Sequence, residues 1–236
     1  LHSALPAVVA GVRSVRPDAR VAYVMTDGGA LPASFSRAVA GLREAGWLAA
    51  TITVGQAFGG DHEAVTTHTG LLASRHVVGA DVVVVAQGPG NVGTGTRWGY
   101  SGVACADALH AAHVLGGHGI ASLRVSGADL RERHRGVSHH SRTAYGRALL
   151  TPADLPVTAL ADPHLDALVR AQVEGLVAAA RAALTVIEVS SVGLLDALAA
   201  SPVALRTMGR GLDDDPAPFL AAAAAGAHAA AVSARP

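Results

Sequence analysis

Lysine is absent from this chain of 236 residues: all 18 of its basic residues are arginine. That absence excludes a phosphate-binding loop of the Gly-Lys-Ser/Thr kind, a Schiff-base lysine and a catalytic lysine pair. A single cysteine, Cys105, excludes an internal disulfide framework and a cysteine-only zinc site, and it fits the reducing cytoplasm in which we expect the protein to reside. Aromatic residues make up only 3% of the chain, so its 50% apolar content comes mainly from 51 alanines, and its helices must be slim and closely packed. No run of about 18 uninterrupted apolar residues exists. The nearest approach, the Ala-rich stretch 219–232, is too short and too weakly apolar, so no membrane partner is expected. An excess of either charge is also missing, with 18 basic against 18 acidic residues, which argues against a nucleic-acid partner. Internal repeats are absent, and the alanine tract reads as a helix former.

What is present is an alternation of strand and helix patterns. Short β-branched runs occur at 20–25, 51–54, 81–87, 120–126, 156–161 and 185–190. The run Asp81-Val-Val-Val-Val-Ala-Gln87 does not alternate, as expected of a strand covered on both faces. Between the runs, Phe35, Val39 and Leu42 recur at helical spacing, and Leu165, Leu168, Val169, Val173, Leu176, Val177, Ala180 and Leu184 trace a longer apolar stripe. The expected fold is α/β: a doubly wound, mainly parallel sheet of about six strands with helices on both faces, Rossmann-like. We expect a single domain over 1–236. Residues 1–150 form its functional core, and 151–236 complete the sheet and add the C-terminal helices. The Pro-spaced stretch 151–163 is the plausible seam. Helices are predicted over 3–15 and 217–232, with faces free to dock on an upstream domain or a second subunit, so a homo-oligomer is expected.

In such a sheet, ligands bind beyond the carboxyl ends of the strands, where strand order reverses. The unusual sequences fall there. Asp27, Gly28 and Gly29 follow the first strand, and Gly59, Gly60 and Asp61 follow the second. Gly88, Gly90, Asn91, Gly93, Thr94, Gly95, Thr96 and Arg97 follow the third. Glycine lets a ligand approach the backbone, and N–H groups at a helix start favour an anion. Short loops of α/β folds also need glycine, but the third loop is longer and denser in Gly, Asn and Thr than a simple connection requires. Its Gly88-Pro-Gly90-Asn-Val-Gly93 matches the dinucleotide pattern only formally, because 94–98 continue as loop and no acidic residue ends the next strand. Gly99-Tyr-Ser101-Gly102 lacks the spacing of a nucleophile elbow, so Ser101 reads as a helix N-cap. Trp98 and Tyr100 suit stacking on a planar ligand or anchoring the loop.

The segment 131–147 carries five Arg and three His against one Glu. Planar guanidinium groups suit bidentate capture of phosphate or carboxylate, and histidine exchanges protons near neutral pH. Arg135, Ser138 and Arg142 are therefore expected to bind ligand, and Asp27, His134, His139 and His140 to act as catalytic acids and bases. The bland alternative is a solvated basic loop that pairs with acids across a subunit interface. No metal is assigned. His139 or His140 with Asp61, His62 or Asp27 lacks tight ligand spacing, His62 and His68 do not share a helix face, and an exposed helix face accounts for His110 and His113. The turn-rich 207–211 with Asp213, Asp214 and Asp215 either covers the site or caps the last helix.

Five stretches carry a family resemblance: Met25-Thr-Asp-Gly-Gly-Ala-Leu-Pro32, Thr53-Val-Gly-Gln-Ala-Phe-Gly-Gly-Asp61, Ala86-Gln-Gly-Pro-Gly-Asn91 through Gly102, His134-Arg-Gly-Val-Ser-His-His140 and Thr207-Met-Gly-Arg-Gly-Leu212. Through them nearly the whole chain resembles a bacterial family, domain of unknown function 3866. The resemblance implies longer proteins with a further N-terminal segment, which the absence of an initial Met fits. His118, beside Gly116-Gly117, departs from the pattern. The resemblance carries no activity and no cofactor. From the residues alone, the expectation is an enzyme acting on a small phosphorylated or carboxylated metabolite. A non-catalytic nucleotide or metabolite sensor, or a structural homo-oligomer, is the alternative.

Overall fold

Helix α1 (Leu5–Val15) precedes strand β1 (Val21–Thr26) in the structure, a computed structural model that describes residues 1–234. Val21, Tyr23 and Met25 of β1 face one side and Ala22 and Val24 the other, and all five are buried. A strand buried on both faces has to be central, and β1 is. Helix α2 (Arg37–Glu44), capped by the Ser36 hydroxyl, leads to β2 (Ala50–Val54). A short β3 (His62–Ala64) follows, then helix α3 (Thr67–His76) and strand β4 (Val82–Gln87). These strands form one parallel sheet in the order β3-β2-β1-β4. α1 and α2 cover the Tyr23 face, while α3 packs on Ala22, Val24 and Ile52. Strand order reverses between β1 and β4, which places a crevice at their carboxyl ends.

The second half does not extend this sheet to six strands. After helix α4 (Cys105–Val114), residues 120–126 give a single bridge from Ile120 to Asp154 and the two-residue strand β5 (Val125–Ser126), paired antiparallel with β6 (Gly136–Val137). The reason lies in the middle of the segment: Arg124 N–H donates to the Ser141 hydroxyl, and its carbonyl accepts from Ser138 N–H. The short helix α5 (His139–Thr143) and the turn before it thus take the backbone bonds a neighbouring strand would need. β7 (Ala153–Thr158) and β8 (Leu184–Val189), joined by helix α6 (Pro163–Ala179), form their own parallel pair. Phe35 also departs from expectation. It precedes α2 and is 66% exposed, so only Val39 and Leu42 of its pattern reach the core.

After the short α7 (Leu194–Ala199), helix α8 (Ala217–Ser233) joins the two halves. It is apolar all round and buried along most of its length. Its main partner is α1. A Cβ on Gly11 would lie 1.9 Å from the Ala223 carbonyl oxygen, and one on Gly226 would lie 1.9 Å from that of Val8, so the helices meet backbone to backbone. The faces expected to dock on another domain or subunit therefore cover each other. Among the described residues no helix is long and apolar enough to cross a membrane.

Candidate functional site

The crevice at the ends of β1 and β4 is walled by the loops that follow them. Gly28 sits so close to β4 that a Cβ there would lie 2.9 Å from Gln87 Cβ, which requires glycine. The loop after β2 joins at the side, where Ala33 N–H donates to the Phe58 carbonyl at 3.0 Å. From the other side comes 131–147: Tyr100 stacks on His140 and donates its hydroxyl to the His140 carbonyl, and Arg133 approaches Gly95. The four loops are brought together.

A cavity of about 130 Å³ opens beneath them. Thr26 of β1, Gln87 of β4, Ser101, Arg124, His140 and Thr207 line it. Arg124 is the polar group that stands out. Its guanidinium makes no hydrogen bond or ion pair among the described residues. Burial lowers its pKa and Asp215 offsets part of that, yet a guanidinium stays charged in a protein. The cavity wall therefore holds a half-buried cation that Asp215 and Asp129 influence without forming an ion pair with it, a position that an oxyanion can complete.

His140, which lines the cavity, forms a cluster with His134 and His139, their ring centroids 4.3–4.9 Å apart. Ser138 holds it in place: its fully buried hydroxyl lies 2.7 Å from His134 Nδ1 and caps α5 by accepting from His140 N–H. Burial, followed by Arg131 and His139, pushes the His134 pKa down to about 4. Burial, followed by the other two histidines, pushes His140 down to about 3. Burial and then Arg133 lower His139 as well. All three are neutral at pH 7 and available as bases or ligands.

The other expected site residues separate by environment. Asp27 is exposed and accepts from Ala30 N–H, closing its own turn, and no hydrogen bond or ion pair joins it to a histidine among the described residues. Asp61 is committed to the fold, accepting from Thr51 N–H and Oγ1 and pairing with Arg43 at 3.1 Å. Gly60 packs on the β2 backbone, where a Cβ would lie 2.9 Å from Thr53 N. Asn91 is locked by Gln87 and Ser101. The Ser101 hydroxyl makes these contacts and caps no helix. Gly93, Thr94, Gly95, Thr96 and Arg97 stand in a solvent-exposed turn closed by Thr94 N–H to the Gly99 carbonyl. Arg135 is exposed, whereas Arg142 has a buried Nε without a partner. Trp98 is 56% exposed, and Tyr100 is the buried anchor. His110 Nε2 accepts from Leu150 N–H, which explains it structurally. Asp215, buried, accepts from Ser126 and Gly127 and meets Arg210, so the 207–215 cluster ties β5 to the start of α8.

The family described as protein of unknown function (DUF3866) matches residues 1–226. The chain belongs to that family. No curated protein and no solved structure matches it.

The stretches that carry the family resemblance converge on the cavity: Thr26, Gln87 with Ser101, His140 and Thr207 come from four of the five, and the fifth supports the loop after β1 through Phe58. Arg124 lies outside all of them. Its only signal in the sequence was a charge within the apolar run 120–125. The histidine cluster was also missed as a unit, since spacings of five and one residues suggest no shared face on a regular element.

Proposed function

We propose that this protein is an enzyme acting on a small phosphorylated or carboxylated metabolite, held in the cavity at the ends of β1 and β4. The observation that carries this reading is Arg124, an unpartnered cation in the cavity wall. A guanidinium in a partly enclosed space favours a bidentate oxyanion over water. The crevice where strand order reverses is the usual ligand position of open α/β sheets, as in Rossmann-like nucleotide-binding folds. His140, which lines the cavity, and its neighbours His134 and His139 present imidazole nitrogens that can act on a bound ligand, as bases or as metal ligands.

Thermal-shift screening of phosphorylated and carboxylated metabolites should yield hits that raise the melting temperature, since a ligand bound only to the folded state stabilises it. Wild-type protein should then convert a hit. Arg124→Met should weaken binding by about 1.5–3 kcal/mol, the range for a hydrogen bond to a charged group. A tight hit recovered unchanged after long incubation, with and without divalent metal and nicotinamide nucleotide, would reduce the protein to a sensor.

A further inference from the structure

Two clusters of the described residues bring three metal-ligating side chains within reach of one another: His118, Asp154 and His228, and His134, His139 and His140. They differ in what their atoms already do. In the first, both imidazole Nε2 atoms are bonded to one oxygen of Asp154, at 2.7 and 2.6 Å. Every donor has an acceptor, and the three groups tie α8 and the segment before Ile120 to β7. In the second, the rings face one another without a carboxylate between them, and His139 Nε2 is buried with no hydrogen-bond partner. A buried polar atom left unpaired calls for an explanation, and a ligand is the most direct one.

We propose that His134, His139 and His140 form a three-nitrogen site for a divalent transition ion, Zn²⁺ by preference, beside the cavity that His140 lines. Three histidines plus one open position is the donor set of catalytic rather than structural zinc. One ring nitrogen from each residue lies within 4.8 Å of the others. An ion with Zn–N bonds of about 2.0–2.1 Å in tetrahedral geometry holds its nitrogens roughly 3.3 Å apart, so the rings must close by up to about 1.5 Å on binding. The Ser138 hydroxyl on His134 Nδ1 fixes that ring's orientation, as outer-shell partners of ligating histidines do.

The surrounding charges are positive. Arg131 is neutralised by a two-point pair with Asp129, while Arg133 and Arg142 bear on His139. A divalent ion here is balanced by an anion bridging it and the arginines. That part rests on the proposed function; the metal site itself does not.

The test uses tag-free protein and metal alone. Chelator-stripped wild type is titrated with Zn²⁺ against a competing chromophoric chelator, and separately with Co²⁺ followed by visible absorption. We expect one Zn²⁺ per chain and the intense bands of four-coordinate cobalt. His134→Gln, His139→Gln and His140→Gln should each weaken Zn²⁺ by at least about 100-fold, and Ser138→Ala by about 10–100-fold. His118→Gln should change nothing. A wild-type cobalt spectrum identical to the aqua ion overturns the proposal whether or not the variants fold. So does a Zn²⁺ affinity that survives the cluster variants or falls with His118→Gln. Loss of anion binding in Arg124→Met with Zn²⁺ affinity intact would keep the two sites' fates separate.

Discussion

Tyr100 lies flat on His140, with ring centroids 3.9 Å apart and planes within 5°, and its hydroxyl donates to the His140 carbonyl at 2.7 Å. One side chain thus fastens the glycine-rich loop to the histidine segment. Tyr100→Phe keeps the stacking and should cost about 0.5–1.5 kcal/mol for the lost hydrogen bond. Tyr100→Ala should cost about 3–5 kcal/mol and free the loop, read by urea unfolding and by proteolysis within 88–99. Equal costs for the two variants would show that the stacking contributes nothing.

Arg124 predicts opposite effects on stability and binding. Removing an unpaired charge from a partly buried wall relieves its desolvation cost, so ligand-free Arg124→Met should melt at or above the wild-type temperature. The stabilisation that wild type gains from an anionic ligand should be lost in the same variant. A clear drop in the ligand-free melting temperature would mean that Arg124 supports the fold instead.

The crossing of α1 and α8 leaves no room for a methyl group at Gly11 or Gly226. Because the neighbouring atoms are backbone, Gly226→Ala should force the helices apart and cost about 1–3 kcal/mol or more by overpacking. Gly175→Ala, at a position with nothing within 4 Å, serves as the control and should be neutral or stabilising. The measurement is the urea midpoint of each variant.

These cases show what was legible in the sequence. The glycines after β1 and β4 and the Arg/His segment stood out because they broke the strand and helix periods around them, and the structure places them side by side. The abundance of Ala and Gly in α1 and α8 announced close packing, but a small face does not say what approaches it, so their pairing with each other was missed. Residues 120–126 have the composition of a strand, yet bonds from Arg124 to Ser138 and Ser141 take the place of a ladder, and the six-strand sheet fails there. Arg124 was invisible as a site residue because its role comes from the cavity that distant segments close around it.

Asp154 sets a pH dependence. Burial alone would raise its carboxyl pKa, but hydrogen bonds from His228 and His118 overcome burial and hold it below the ordinary 3.8. A carboxyl depressed in the folded state stabilises fully above its unfolded value and loses that contribution as pH falls through the folded one. Asp154→Asn should therefore be less stable than wild type near neutral pH, and the gap should close as pH drops below about 3.8. A gap of constant size across that range would refute the assignment.

An anion held against Arg124 in the cavity at the ends of β1 and β4 is what the proposed function requires. Crystals soaked in selenate, an oxyanion with an anomalous signal, test it most directly. An anomalous peak is expected in the cavity, with the selenate oxygens within about 2.7–3.2 Å of the Arg124 guanidinium nitrogens. Peaks confined to exposed arginines such as Arg97 and Arg135, with the cavity empty at saturating selenate, would contradict it.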